Sequence, residues 1–270
     1  ISPTFSEFES YREIVRGRLN SYNKAGEYGL NSQDVLIPAF IAAYSGKDPN
    51  TISLTPFPKI PLSNWRVDYA GLSKLPMFKD LVSSINLTHS YSSVFRINNY
   101  TNSLLYDNAI ELSNHITNYP SPSLSNDNGL IPVYILNEVS IAERFSPLIG
   151  VNVRTKNRSS AKVEWKKERS LGLNLSNSQI TEVRSSDISF DFGTTKKDWK
   201  IPFKVQGRTV ALKNDITFRM TFTIRDTKTI QRKIDDVTTI TAGNINYQLR
   251  PTVSYVANEK LNITMYFERN

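Results

Sequence analysis

The stretch Ala161-Lys162-Val163-Glu164-Trp165-Lys166-Lys167-Glu168-Arg169-Ser170-Leu171-Gly172-Leu173-Asn174-Leu175 decides the fold class. Ala161, Val163, Trp165, Leu171, Leu173 and Leu175 share one parity, and Lys162, Glu164, Lys166, Glu168, Ser170, Gly172 and Asn174 share the other. Successive strand side chains point to opposite faces, so this run predicts a strand with one apolar and one polar face. Lys167 and Arg169 stand in the apolar register, where long stems can snorkel toward a polar boundary.

The same period of two recurs on both sides of this stretch. Upstream, Trp65, Val67 and Tyr69 begin it, followed by Ile85, Leu87, His89, Tyr91, Ser93, Phe95 and Ile97 and then by Val139, Ile141, Phe145, Ile149, Val151 and Val153. Downstream come Ile188, Phe190 and Phe192, then Val210 through Ile224, then Ile245 through Tyr255, and finally Leu261, Ile263, Met265 and Phe267. Asn157-Arg158-Ser159, Ser176-Asn177-Ser178 and Asn258-Glu259-Lys260 read as compact turns, and 105–130, 195–207 and 226–241 as longer loops. Pro147 and Pro251 fall inside strand registers and predict bulges, because each lacks a ladder N–H. Residues 63–270 therefore predict an antiparallel meander.

Residues 1–62 read differently, as a helical and Pro-rich insert. Phe5, Phe8, Tyr11, Val15, Leu19 and Tyr22 recur every three or four residues and draw one helical face, with Thr4 and Glu7 at capping-box spacing. Residues 32–44 predict a second helix, with Ser32 as cap, Asp34 in the first turn and Gly46 just past the end. Val35 through Tyr44 is apolar nearly all round, so it should be buried, and Pro38 predicts a kink or a late start. Pro49, Pro56, Pro58 and Pro61 enforce an extended connector.

Composition narrows the function. The 270 residues carry 33 Lys+Arg against 25 Asp+Glu, a formal charge of +8, with 11% aromatic residues. That aromatic load argues against a disordered chain, as does enough length for a sizeable core. The basic residues are mixed with Asp and Glu, so a solvated surface accounts for them better than a nucleic-acid interface does. Absence of Cys excludes disulfides, thiolate metal sites and a cysteine nucleophile. A metal site would need the two histidines, His89 and His115, to converge. No G-x-S-x-G elbow or phosphate-binding glycine loop occurs. Asp187 and Asp191 share a strand face and could be drawn as a glycosidase dyad, though solvated wall charges are the simpler account. No catalytic residue, cofactor or metal is expected. Ile1 opens without a signal-peptide pattern, and both ends read as cuts through a larger protein.

No apolar run approaches the roughly 18 residues of a spanning helix. Strands of about 14 to 17 residues exceed the usual 5 or 6 of soluble sheets, and about 9 to 11 suffice to cross a bilayer. A membrane β-barrel hides its apolar face in every second residue. Alternation reports only a half-buried sheet, however, and a soluble β-sandwich that binds carbohydrate or protein fits it equally.

Four segments stand apart from generic strand pattern: residues 31–46, from Asn31-Ser32-Gln33-Asp34 to Tyr44-Ser45-Gly46; residues 57–67, from Phe57-Pro58-Lys59-Ile60-Pro61 to Trp65-Arg66-Val67; Phe145-Ser146-Pro147-Leu148-Ile149-Gly150-Val151; and Leu212-Lys213-Asn214-Asp215 through Ile224-Arg225-Asp226. Together they resemble the SprA/Sov family, the outer-membrane translocon of the type IX secretion system of Bacteroidota, and are similar to the C-terminal part of that very large protein. The resemblance implies part of a giant transmembrane β-barrel in the cell outer membrane. Through it folded cargo leaves the periplasm, for surface secretion or gliding motility. It also implies a PorV-type partner barrel, a periplasmic plug protein and cargo proteins as partners, with no nucleic acid. On this reading Asp187, Asp191, Lys213, Asp215, Arg219 and Arg250 face the lumen, and Trp165, Leu173, Phe190, Phe218, Phe222 and Tyr247 face lipid.

Overall fold

The structure, a computed structural model, describes residues 3–22, 27–55, 57, 63–103, 123–124, 130–132, 134–205, 208–236 and 239–269. Helix α1 (Pro3–Tyr22) starts with Pro in its first turn, where the missing N–H has no intrahelical partner to lose. Thr4 thus lies inside the helix, and the expected capping box does not form. Helix α2 (Gln33–Ser45) has Ser32 at the N-cap position, but the Ser32 side chain makes no capping bond. Gly46 closes it in the left-handed conformation (φ 67°) with its N–H on the Ala42 carbonyl. Pro38 is accommodated within α2, which neither starts late nor stops there. No described helix is long and apolar enough to cross a membrane.

The rest is mainly β. Strand β1 (Trp65–Tyr69) leads through a 3-10 turn (Gly71–Lys74) to β2 (Val82–Asn102). Strands β3 (Ser123–Leu124) and β4 (Leu130–Ile131) form a two-stranded ladder before β5 (Tyr134–Thr155), β6 (Ser159–Asn174) and β7 (Gln179–Lys196). A second ladder, β8 (Lys200–Val205) with β9 (Arg208–Ala211), precedes β10 (Ile216–Lys233), β11 (Thr239–Asn258) and β12 (Leu261–Tyr266). The main sheet has eight strands in the order β1-β2-β5-β6-β7-β10-β11-β12, each neighbouring pair antiparallel. The sheet is open, with β1 and β12 at its edges.

Two expectations are corrected here. The loop expected at 226–241 is mostly ladder: β10 runs to Lys233, and β11 resumes at Thr239. Likewise 195–207 contains β8. Of the expected bulges, Pro147 coincides with a register shift between Phe145 and Ile149, whereas Pro251 pairs with Met220 in an unbroken β10/β11 register. The Pro251 carbonyl accepts from the Phe267 N–H, so this residue's polar groups point toward the β12 edge. The missing N–H therefore costs the β10/β11 ladder nothing.

Helices and sheet share one core. Phe8, Val15 and Leu19 of α1 and Asp34 through Tyr44 of α2 are buried with Leu136, Val139, Ile141, Leu171, Leu173 and Ile180 of the sheet. The all-round apolar α2 is thus covered on every side, as its sequence requires. Gln33 bridges to β5, its amide donating to the Tyr134 carbonyl and its carbonyl accepting from the Leu136 N–H (3.1 Å). Arg12 of α1 bonds Asp235 (2.7 Å) in the β10–β11 turn and Asn31 (2.7 Å), fastening the helices to one end of the sheet.

Candidate functional site: the two faces of the sheet

The polar face is a lattice of short charge pairs. The Arg225 guanidinium grips Asp187 through Nε (2.9 Å) and Nη2 (2.8 Å), and Thr221 Oγ1 donates to Asp191 (2.7 Å). Glu164 is flanked by Lys162 (2.9 Å) and Lys166 (3.4 Å). Arg219 and Arg250 share this face, and Arg250 lies over the Tyr266 ring at 4.7 Å. Asp187 and Asp191 are four residues apart on β7, about 13 Å along a strand, too far for a glycosidase pair. Lys213 and Asp215 are not on this face: they precede β10 in a connector where Arg158 binds Asp215 (3.2 Å). The register fails there because alternation had been extended past the first paired residue, Ile216.

The opposite face has three zones. Nearest the β6–β7 turn the helices cover it, and Leu173, 0% exposed, lies in that core. Leu173 therefore contacts protein and is not available to lipid. Farthest from the helices lies an exposed apolar band. It includes the half-buried Trp165, Phe190, Phe218 and Phe222 and the exposed Tyr247, with Val67, Ile149, Val163, Ile188, Met220, Leu249 and Ile263. Tyr247 is 57% exposed, Ile149 55% and Ile188 45%.

Between the two zones runs a charged belt that sequence reading missed. Strand pairing aligns Glu143, Arg169, Arg184 and Lys228 in one row and Phe145, Lys167, Ser186 and Asp226 in the next. Arg169 does not snorkel: it pairs with Glu143 and donates to the Tyr44 carbonyl (3.3 Å) at the end of α2. Lys167 Nζ lies 4.4 Å from the Trp165 ring centroid, a cation–π contact. Under the helix edge the buried Glu182 accepts from Arg184 Nε (2.6 Å). Nearby, burial pushes the Tyr44 phenol up to about 12, against the opposing pull of Arg232. The signal was present in the sequence as charges breaking the apolar register at Lys167, Arg169, Glu182, Arg184 and Lys228, but their alignment needed the strand register.

His89 is held by the Leu148 carbonyl (2.6 Å) and by ring contacts with Trp65 and Phe145, while His115 lies outside the described residues. Among the described residues no three His, Asp or Glu side chains gather as a metal site. No protein-family model matches the chain, and a comparison with curated proteins finds no match.

Proposed function

We propose that this chain is part of the wall of an outer-membrane protein-conducting channel of the SprA/Sov kind, exporting folded cargo by type IX secretion. The observation that carries the reading is the exposed apolar band. On β11 the apolar parity from Ile245 to Tyr255 covers ten steps, about 33 Å along the strand and about 25 Å of height at a barrel tilt of about 40°. That matches the apolar belt of an outer-membrane barrel. Eight strands about 4.8 Å apart make the band roughly 1,000 Å² in projection, above the few hundred Å² typical of a soluble monomer.

On this reading the band meets lipid and the opposite face lines a wet lumen. Asp187, Asp191, Arg219 and Arg250 hydrate the passage, and the pairing of Asp187 with Arg225, of Asp191 with Thr221 and of Arg250 with Tyr266 limits adhesion to cargo. The chain acts as a passive conduit with no catalytic step, in the company of a PorV-type barrel and a periplasmic plug. Gliding motility or surface-protein secretion would depend on it. The open edges β1 and β12 would pair with further wall strands. Heat-modifiable migration and detergent dependence test the proposal. Full solubility as a monomer without detergent would instead favour a soluble binding module.

A further inference from the structure

The charged belt lies at a boundary that a lipid headgroup would occupy. Toward the helices the next row is Ile141, Leu171, the buried Glu182 and Ile230, and toward the band it is the apolar row Ile149, Trp165, Ile188 and Ile224. A cleft of about 600 Å³ opens there, lined by Phe145, Lys167, Arg169, Arg184, Asp226 and Lys228 among others.

The charges of this cleft are unevenly satisfied. Arg169 is committed to Glu143 and the Tyr44 carbonyl, so it serves as a wall. Lys167 has its ammonium over the Trp165 ring, and Arg184 directs Nε to Glu182. Lys228 Nζ pairs with Asp226 Oδ2 at 3.2 Å. The other carboxylate oxygen, Asp226 Oδ1, is buried and has no hydrogen-bond donor among the described residues. An unpaired buried carboxylate oxygen is costly, and a donor that reaches it recovers that cost.

We propose that this cleft binds a phospholipid whose headgroup carries both a phosphate and a primary ammonium. The phosphate lies on Lys167 and Arg184, the ammonium donates to the Asp226 carboxylate once rotation about χ2 brings the buried Oδ1 to the cleft, and the acyl chains run along Trp165, Ile188 and Ile224. Phosphate takes cations as charge-assisted partners, and a quaternary ammonium has no N–H for Asp226. The inference rests on the wall reading above, and it adds that the helix pair stands on the lipid side of the sheet, next to the headgroups.

The test is native mass spectrometry of the chain released from dodecyl maltoside micelles. Dioleoyl phosphatidylethanolamine, phosphatidylcholine and phosphatidylglycerol are supplied at equal concentration. The ethanolamine lipid should be retained about tenfold better than the choline lipid. Asp226→Asn should remove that preference, and Lys167→Ala with Arg184→Ala should lower retention of all three lipids. Circular dichroism serves as the folding control for each variant. Equal retention of the three lipids by a detergent-dependent chain, or retention unchanged in the variants, would overturn the site alone. A chain that is monomeric in buffer without detergent would overturn the wall reading and this site with it.

Discussion

Phe222 gives the sharpest test of which face meets lipid. It opposes Phe190 on β7 and Leu249 on β11, in the middle of the apolar band. Along β10 the first charge on its face is Asp226, four residues away, or about 10 Å of height at a tilt of about 40°. In the other direction Ile216 ends the strand six residues away, about 15 Å by the same reckoning. Phe222 therefore lies close to the middle of a layer of about 25 Å. An arginine there should cost about 2–4 kcal/mol, a factor of roughly 30 to 900 in the folded population. Thr223 points to the other face beside Ser189 and Gln248, so Thr223→Arg should change stability by about 0.5 kcal/mol or less. Urea titration of the protein folded into phosphatidylcholine vesicles, read by heat-modifiable migration, measures both. Equal losses, or a Phe222→Arg loss under about 1 kcal/mol, would refute the assignment of faces.

Phe40 is fully buried in the core shared by the helices and the sheet, so Phe40→Ala should cost about 3–5 kcal/mol and expose α2 to limited proteolysis; unchanged protease resistance would count against this packing. Asp235 is held below the usual carboxylate range by its hydrogen bonds from Arg12 and then Asn31. Its folded value lies below the unfolded one, so helix docking is favoured above about pH 4 and weakens as pH falls through the folded value. Amide exchange of α1 between pH 5 and pH 2 should show this loss, and Asp235→Asn should flatten the profile. In lipid, an open edge leaves unpaired backbone groups at several kcal/mol each, so the 270-residue chain alone should aggregate through β1 and β12 or close as a smaller barrel. Mass determination in detergent would detect a stable open monomer, which would contradict that expectation.

Local pattern was enough for most of the architecture. Alternating parity from Ala161 to Leu175 follows from where successive Cβ atoms point, a property of the strand itself, so the two faces could be read without knowing any neighbour. The same holds for α2, whose all-round apolar surface required cover wherever that cover came from. Leu173 and Phe222 look alike by this criterion, yet one lies under the helices and the other in the open band. Their difference depends on α2, more than a hundred residues away, docking through Gln33 on β5 and through Asn31 and Arg12 on the β10–β11 turn. The belt is non-local in the same way. Glu143, Arg169, Arg184 and Lys228 are scattered charges in one dimension, and only strand register lines them up. Which side of each strand a residue occupies is readable from the linear order of residues, because it depends on the chain's own pleat. Tertiary structure alone decided what covers that side, because cover is set by contacts between segments that local periodicity does not relate.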